Sequence, residues 1–120
     1  AVVFVVSDFM ARNYEQALHI ANRRHDVIAV AVTDPREEFL PDVGFLAVQD
    51  AETGRQTRVD TSDERVRRAY AEAALAAAKE RDGVFLRTKV DVIHVRTDAS
   101  YMEAIYRFFR MRERRLVRRA

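Results

Sequence analysis

Residues 1–8 read AVVFVVSD. Five apolar β-formers, Val2 to Val6, run without interruption before Ser7 and Asp8. A half-buried strand alternates apolar and polar residues, so an unbroken run predicts a strand buried on both faces, as in the middle of a parallel sheet flanked by helices. In open α/β sheets, ligand groups gather just past the carboxyl ends of the strands. Ser7 and Asp8 stand at that point.

Working outward, residues 27–32, VIAVAV, predict a second strand of the same kind, ended by Thr33, Asp34 and Pro35. Between the two strands, 12–24 predicts a helix. Tyr14, Ala17, Leu18 and Ala21 fall at three- and four-residue spacings, and Arg23 and Arg24 favour the negative end of its dipole. Strand, helix, strand is a βαβ unit with a right-handed crossover. A polar excursion over 36–41 follows. Residues 44–49 and 57–60 then flank turn chemistry, Ala51, Glu52, Thr53 and Gly54, which predicts an antiparallel hairpin at a sheet edge with Arg58 facing solvent.

Ser62 is the expected N-cap of a long helix, with Asp63 and Glu64 in its first turn. Val66, Tyr70, Ala73, Ala77 and Val84 trace its apolar stripe, which carries the helix through Gly83 to about Arg87; the rival reading ends it at Arg81 and starts a strand at Val84. Residues 90–95, VDVIHV, predict the third core strand. A last helix over 100–115 follows, with Asp98 as its N-cap, Met102, Ile105, Tyr106, Phe109 and Glu113 along one side, and Phe108 beside it. The expected fold is a three-layer α/β domain over residues 1–120: three parallel core strands in sequential order, an antiparallel edge hairpin and three helices.

Composition narrows the function classes. The chain has 120 residues, 48% hydrophobic and 33% charged, with a formal net charge of +2, so it can build a core and is not an obvious nucleic-acid binder. It has no Cys, which excludes disulfides, thiolate nucleophiles and Cys-based zinc sites. No apolar run approaches the roughly 20 residues that span a bilayer, and no signal peptide is visible, which favours the cytoplasm. A strand that starts at the second residue, without an initiator Met, is expected of a fragment of a longer protein.

Three strands end in acids, at Asp8, Asp34 and Asp98. Parallel neighbours would gather these carboxylates, with Ser7, on one rim, and oxygen-only clusters suit Mg²⁺ and similar hard cations. The ordinary alternative is that each Asp caps the helix or turn after it. His19, His25 and His94 fall on a helix, in a turn and within a strand, at no metal-ligand spacing. Ser7 lacks a nucleophile-elbow setting, and neither GxGxxG nor a Walker A sequence is present. The basic end, with Arg110, Arg112, Arg114, Arg115, Arg118 and Arg119, reads as a phosphate-binding surface, as a solvated helix end or as a docking tail.

AVVFVVSDFM, then RRHDVIAVAVTDPREEFLPDVGFLAVQDAETG, RVDTSD and RTDASYMEAIYRFFRMRERR together resemble the bacterial domain-of-unknown-function 58 family. That family is similar to von Willebrand factor A-type domains, of which this stretch looks like the C-terminal half. The resemblance implies a protein-interaction role in complex assembly, with a MoxR-type AAA+ ATPase as partner. It also implies that Ser7 and Asp8 match the last element of a metal-ion-dependent adhesion site, whose DxSxS and Thr elements are absent here. A divalent cation would then need ligands from outside this chain. In such a sheet the outer side of the first strand is bare, which predicts a homo-oligomer. The other readings are a metal-dependent hydrolase on the acidic rim and a nucleic-acid binder using the C-terminal arginines.

Overall fold

The computed structural model describes residues 1–10, 13–50 and 53–119, with side chains through 117. Its elements are β1 (Val2–Ser7), α1 (Glu15–Arg24), β2 (Asp26–Thr33), α2 (Pro35–Glu38), β3 (Phe45–Gln49), β4 (Gln56–Asp60), α3 (Glu64–Thr88), β5 (Asp91–Arg96) and α4 (Tyr101–Arg119). They form two compact units, one of Ala1–Pro35 with Lys79–Ala120, the other of Arg36–Ala78.

In the first unit β1, β2 and β5 form a parallel sheet in that order, as expected. The central strand is β2, and it carries the core: Val27, Ile28, Ala29 and Ala31 are sealed from solvent. Its side chains alternate. Val27, Ala29 and Ala31 pack with Leu18 of α1 and with Val84 and Phe85 of α3, while Ile28 packs with Ile93 and with Phe108 of α4. This gives the unit its three layers. The small Ala29 and Ala31 leave room for the aromatic group Phe9, Tyr14 and Phe85, with Phe9 and Phe85 edge to face at 5.0 Å.

The unbroken apolar run of β1 does not mark burial on both faces. Val2, Phe4 and Val6 are exposed, and Val3 and Val5 are half-buried. An apolar run reports strand preference, but burial depends on place in the sheet, and β1 is an edge. The start of the first helix, expected at Arg12, lies outside the described residues; α1 begins at Glu15 and leaves Ala17 exposed.

α3 runs through Gly83, so the rival reading of a strand at Val84 fails. The N-cap is Asp63, not Ser62: the Arg65 amide donates to Asp63 Oδ1, while Ser62 bonds to the Asp60 carboxylate. Val66 and Tyr70 are half-buried, but Ala73 and Ala77 are exposed; the protected side passes instead through Ala71, Ala74, Ala78, Arg81, Phe85 and Thr88. A run of small residues carries too little contrast to fix a helix face to better than one position. The C-terminus closes as a Schellman motif: the Val90 amide donates to Phe85 O and the Lys89 amide to Leu86 O, both at 3.3 Å. Lys89 sits there with φ of 59°, a left-handed conformation that suits glycine. Lys89→Gly is therefore expected to stabilise the protein by about 0.5–1 kcal/mol. A urea titration checks this, and a loss of stability would count against the cap.

In the second unit β3 and β4 pair antiparallel, Phe45 opposite Asp60 and Gln49 opposite Gln56. The expected hairpin is present, but as a sheet of its own rather than an edge of the parallel sheet. Ala51 and Glu52 of its turn lie outside the described residues; Gly54 has the expected positive φ, +70°. Arg58 faces solvent as expected, with its guanidinium over the Phe45 ring at 4.4 Å. The buried anchor of this unit is polar: the Thr61 hydroxyl donates to Gly44 O and accepts from the Val43 amide.

Candidate functional site

Parallel pairing brings the strand ends to one side of the sheet. Ser7 is level with Ala31, Ala31 with His94, and Thr33 with Arg96. The Ser7, Asp8 and Asp98 side chains there are engaged locally. The Phe9 amide donates to Ser7 Oγ and the Met10 amide to Asp8 Oδ1, both at 3.1 Å, so Ser7 and Asp8 shape the turn that sets Phe9 at a φ of 55°. Asp34 stands directly before α2. Asp98 does not cap α4, which starts at Tyr101; its carboxylate receives Arg96 Nε at 3.1 Å. Among the described residues no group of three His, Cys, Asp or Glu side chains is placed to hold a metal ion, and the rim by itself does not fit one. His19, His25 and His94 are all exposed.

The opposite end of the sheet holds a stronger electrostatic arrangement. α4 returns across the sheet after β5, so its C-terminal turns lie beside the starts of β2 and β5. Arg112 there forks onto Asp26, Nη1 to Oδ2 at 2.6 Å and Nη2 to Oδ1 at 2.7 Å, and also reaches Asp91 Oδ2 at 2.8 Å. Arg115 reaches the same Asp91 oxygen at 3.0 Å. The guanidinium of Arg112 lies 5.2 Å from the Phe108 ring centre. Two planar, charge-assisted contacts fix the helix to two adjacent strands. The hydrogen bonds that Arg112 donates hold the Asp26 carboxyl below its ordinary range, and their acceptance by Asp26 raises Arg112 above its own.

The basic end is thus not one surface. Arg112 and Arg115 are structural, Arg110 lies over Tyr106 at 5.6 Å, Arg114 is exposed, and the side chains of Arg118 and Arg119 lie outside the described residues. The sequence reading missed Asp26 and Asp91 as partners. The available signal was an acid at the start of two parallel strands together with arginines three apart on the returning helix.

The buried side of α4 is Ala104, Ile105, Phe108, Arg112 and Arg115. Of the side expected to pack, only Ile105 belongs to it. Met102, Tyr106 and Phe109 form a neighbouring exposed stripe at helical spacing, which the charged Glu113 separates from Leu116. The helix therefore carries one apolar face for the sheet and a second that faces solvent.

Residues 1–81 match the family described as protein of unknown function DUF58. The chain belongs to that family. This DUF58 chain is 36% identical over 111 residues to the uncharacterized protein MAV169 of Mycobacterium avium, and 34% identical over 111 residues to the uncharacterized proteins Mb1516 of Mycobacterium bovis and Rv1480 of Mycobacterium tuberculosis. The matches cover 92% of this chain, but 65% of the first relative and 35% of the other two. No solved structure matches it. Among the described residues, no helix is long and apolar enough to cross a membrane.

Proposed function

We propose that this DUF58 chain is a non-enzymatic protein-interaction module of the von Willebrand factor A type, serving complex assembly with a MoxR-type AAA+ ATPase. The observation that carries the reading is the second apolar stripe of α4. Met102 and Tyr106 are each about three-fifths exposed, and Phe109 continues the line as far as the charged Glu113. Scattered apolar side chains on a surface mean little, but a contiguous stripe on one helix is the form that seats in a partner's groove. A hydrolase would need a nucleophile or metal-held water with a base beside it. The rim's Ser7, Asp8 and Asp98 instead serve a turn and an ion pair. A nucleic-acid surface would need uncommitted cations, and Arg112 and Arg115 are committed to carboxylates.

Titration calorimetry of the chain with a purified MoxR-type ATPase tests the proposal. Binding is expected, and the exposed-site variants Met102→Glu and Tyr106→Glu are expected to weaken it at least about tenfold while leaving the circular dichroism unchanged. No detectable binding, or binding indifferent to both variants, removes the basis for the reading.

A further inference from the structure

We propose that the second unit is a conformational device: a polar latch at Thr61 holds β3 and β4 closed, and it opens while the parallel sheet stays folded. The proposal is independent of the ATPase reading, which rests on α4.

The two units are held by different physics. Among the described residues, every buried apolar side chain belongs to the first unit. Between residues 36 and 78 the one buried side chain described is that of Thr61. Leu46, Val48 and Val59 share a face of the hairpin by register, and all three are only half-buried. Phe39, Val43 and Phe45 are exposed. A two-stranded hairpin without a packed apolar face is marginal in water, so hydrogen bonds decide whether this one stays closed.

Those bonds converge on one residue. Thr61 extends the ladder past the Phe45–Asp60 pair, its amide donating to Gly44 O at 2.8 Å. Its hydroxyl donates to the same oxygen and accepts from the Val43 amide at 3.0 Å. Arg67, in the first turn of α3, donates Nη1 to Thr61 O at 2.6 Å and stands 3.7 Å from Asp42 Oδ2. One residue thereby joins the segment before β3, the end of β4 and the start of α3. Gly44 has a φ of 82°, which other residues rarely adopt, so the loop side of the latch is specific to glycine. Every group named lies between residues 36 and 78. Hydrogen bonds exchanged for water contribute modestly, whereas opening the parallel sheet exposes a packed core. The hairpin therefore opens at a lower free energy than the sheet. Opening uncovers Leu46, Val48 and Val59, and a partner that prefers either form shifts the balance.

Native-state hydrogen exchange of the 120-residue chain gives the test. Amides of β3 and β4 are expected to exchange at least about a hundredfold faster than those of β2, yet more slowly than an unfolded peptide. Ile93→Val, which shortens a buried side chain of β5, is expected to speed exchange in β2 and β5 about three- to tenfold. It leaves β3 and β4 unchanged, because the hairpin opens with the sheet intact. Thr61→Val keeps the shape and removes the hydroxyl. It is expected to speed exchange in β3 and β4 at least about tenfold, and in β2 by the same factor, since both openings break the latch. Equal protection in hairpin and sheet overturns the proposal, as does an Ile93→Val effect shared by both. Unchanged exchange of β3 and β4 in Thr61→Val overturns the latch, and so does a wild-type hairpin no better protected than an unfolded peptide.

Discussion

Arg112→Met is expected to destabilise the protein by about 2–3 kcal/mol at neutral pH, a large share of the stability of a domain this size. The substitution keeps the apolar stem over Phe108 and removes the fork. The two carboxylates it joins are then left beside the starts of adjacent strands, with Arg115 still near Asp91 alone. The Asp26 side chain is 45% exposed, so water screens part of the contact and the effect falls below that of a fully buried pair. Arg112→Lys is expected to recover little, since an ammonium does not reproduce two parallel donors on Asp26. The pH dependence has a definite sign. The folded-state value of Asp26 lies below its unfolded value, so its contribution is complete above about pH 4 and is lost as the pH falls through the folded-state value. Wild-type stability should therefore drop more steeply on acidification than that of Arg112→Met. Urea unfolding of both proteins at neutral and acidic pH measures this, and equal stabilities at neutral pH would show that the contact is not what holds α4 in place.

Asn22→Asp is expected to destabilise by about 2–4 kcal/mol, with the opposite response to acid. Asn22 lies where three elements meet. Its Nδ2 donates to Thr88 O at 3.2 Å and Lys89 O at 3.3 Å, and its Oδ1 accepts from the Val27 amide at 3.3 Å. It thus covers carbonyls at the end of α3 and the first amide inside β2 with a single side chain. A carboxylate of the same shape loses both donors and sets negative charge against the negative end of a 25-residue helix. Its folded-state pKa would be raised, so the penalty is full above that raised value, shrinks as the pH falls through it, and is gone below the unfolded value of about 4. If thermal melts at neutral pH place Asn22→Asp within a degree or two of the wild type, Asn22 is not the junction described here.

What the sequence disclosed follows its contrast. The runs at 27–32 and 90–95 were legible because apolar β-formers there stand between polar turns, and sequential βαβ logic then ordered all three strands correctly. Family membership was legible from motifs spread along the chain. The inner face of α3 was not, because its middle is nearly all alanine and every direction looks alike. The inner face of α4 was misjudged for the opposite reason: it has two apolar stripes, and the sequence does not say which one the sheet will take. Arg112 was read as part of a charge run because its partners, Asp26 and Asp91, lie far away in sequence and are joined only once β2 and β5 pair. Asn22 offered no signal, since a polar residue on a helix is ordinarily a solvated one.

The two seams of the parallel sheet are closed by chain segments of unequal length. Val2 pairs with Asp26 through one helix, whereas Ile28 meets Asp91 only after the whole of Arg36–Ala78 has intervened. Closure entropy grows only with the logarithm of the loop, so the second seam costs about 1 kcal/mol more than the first. The asymmetry is larger in time than in free energy, because contacts distant along the chain are met late. The β2–β5 seam is also the one that Arg112 spans, so the last strand to arrive is locked by the helix that follows it. Changes in the length of the intervening segment are correspondingly inexpensive, which makes it the part of the chain where the fold best tolerates insertion or loss.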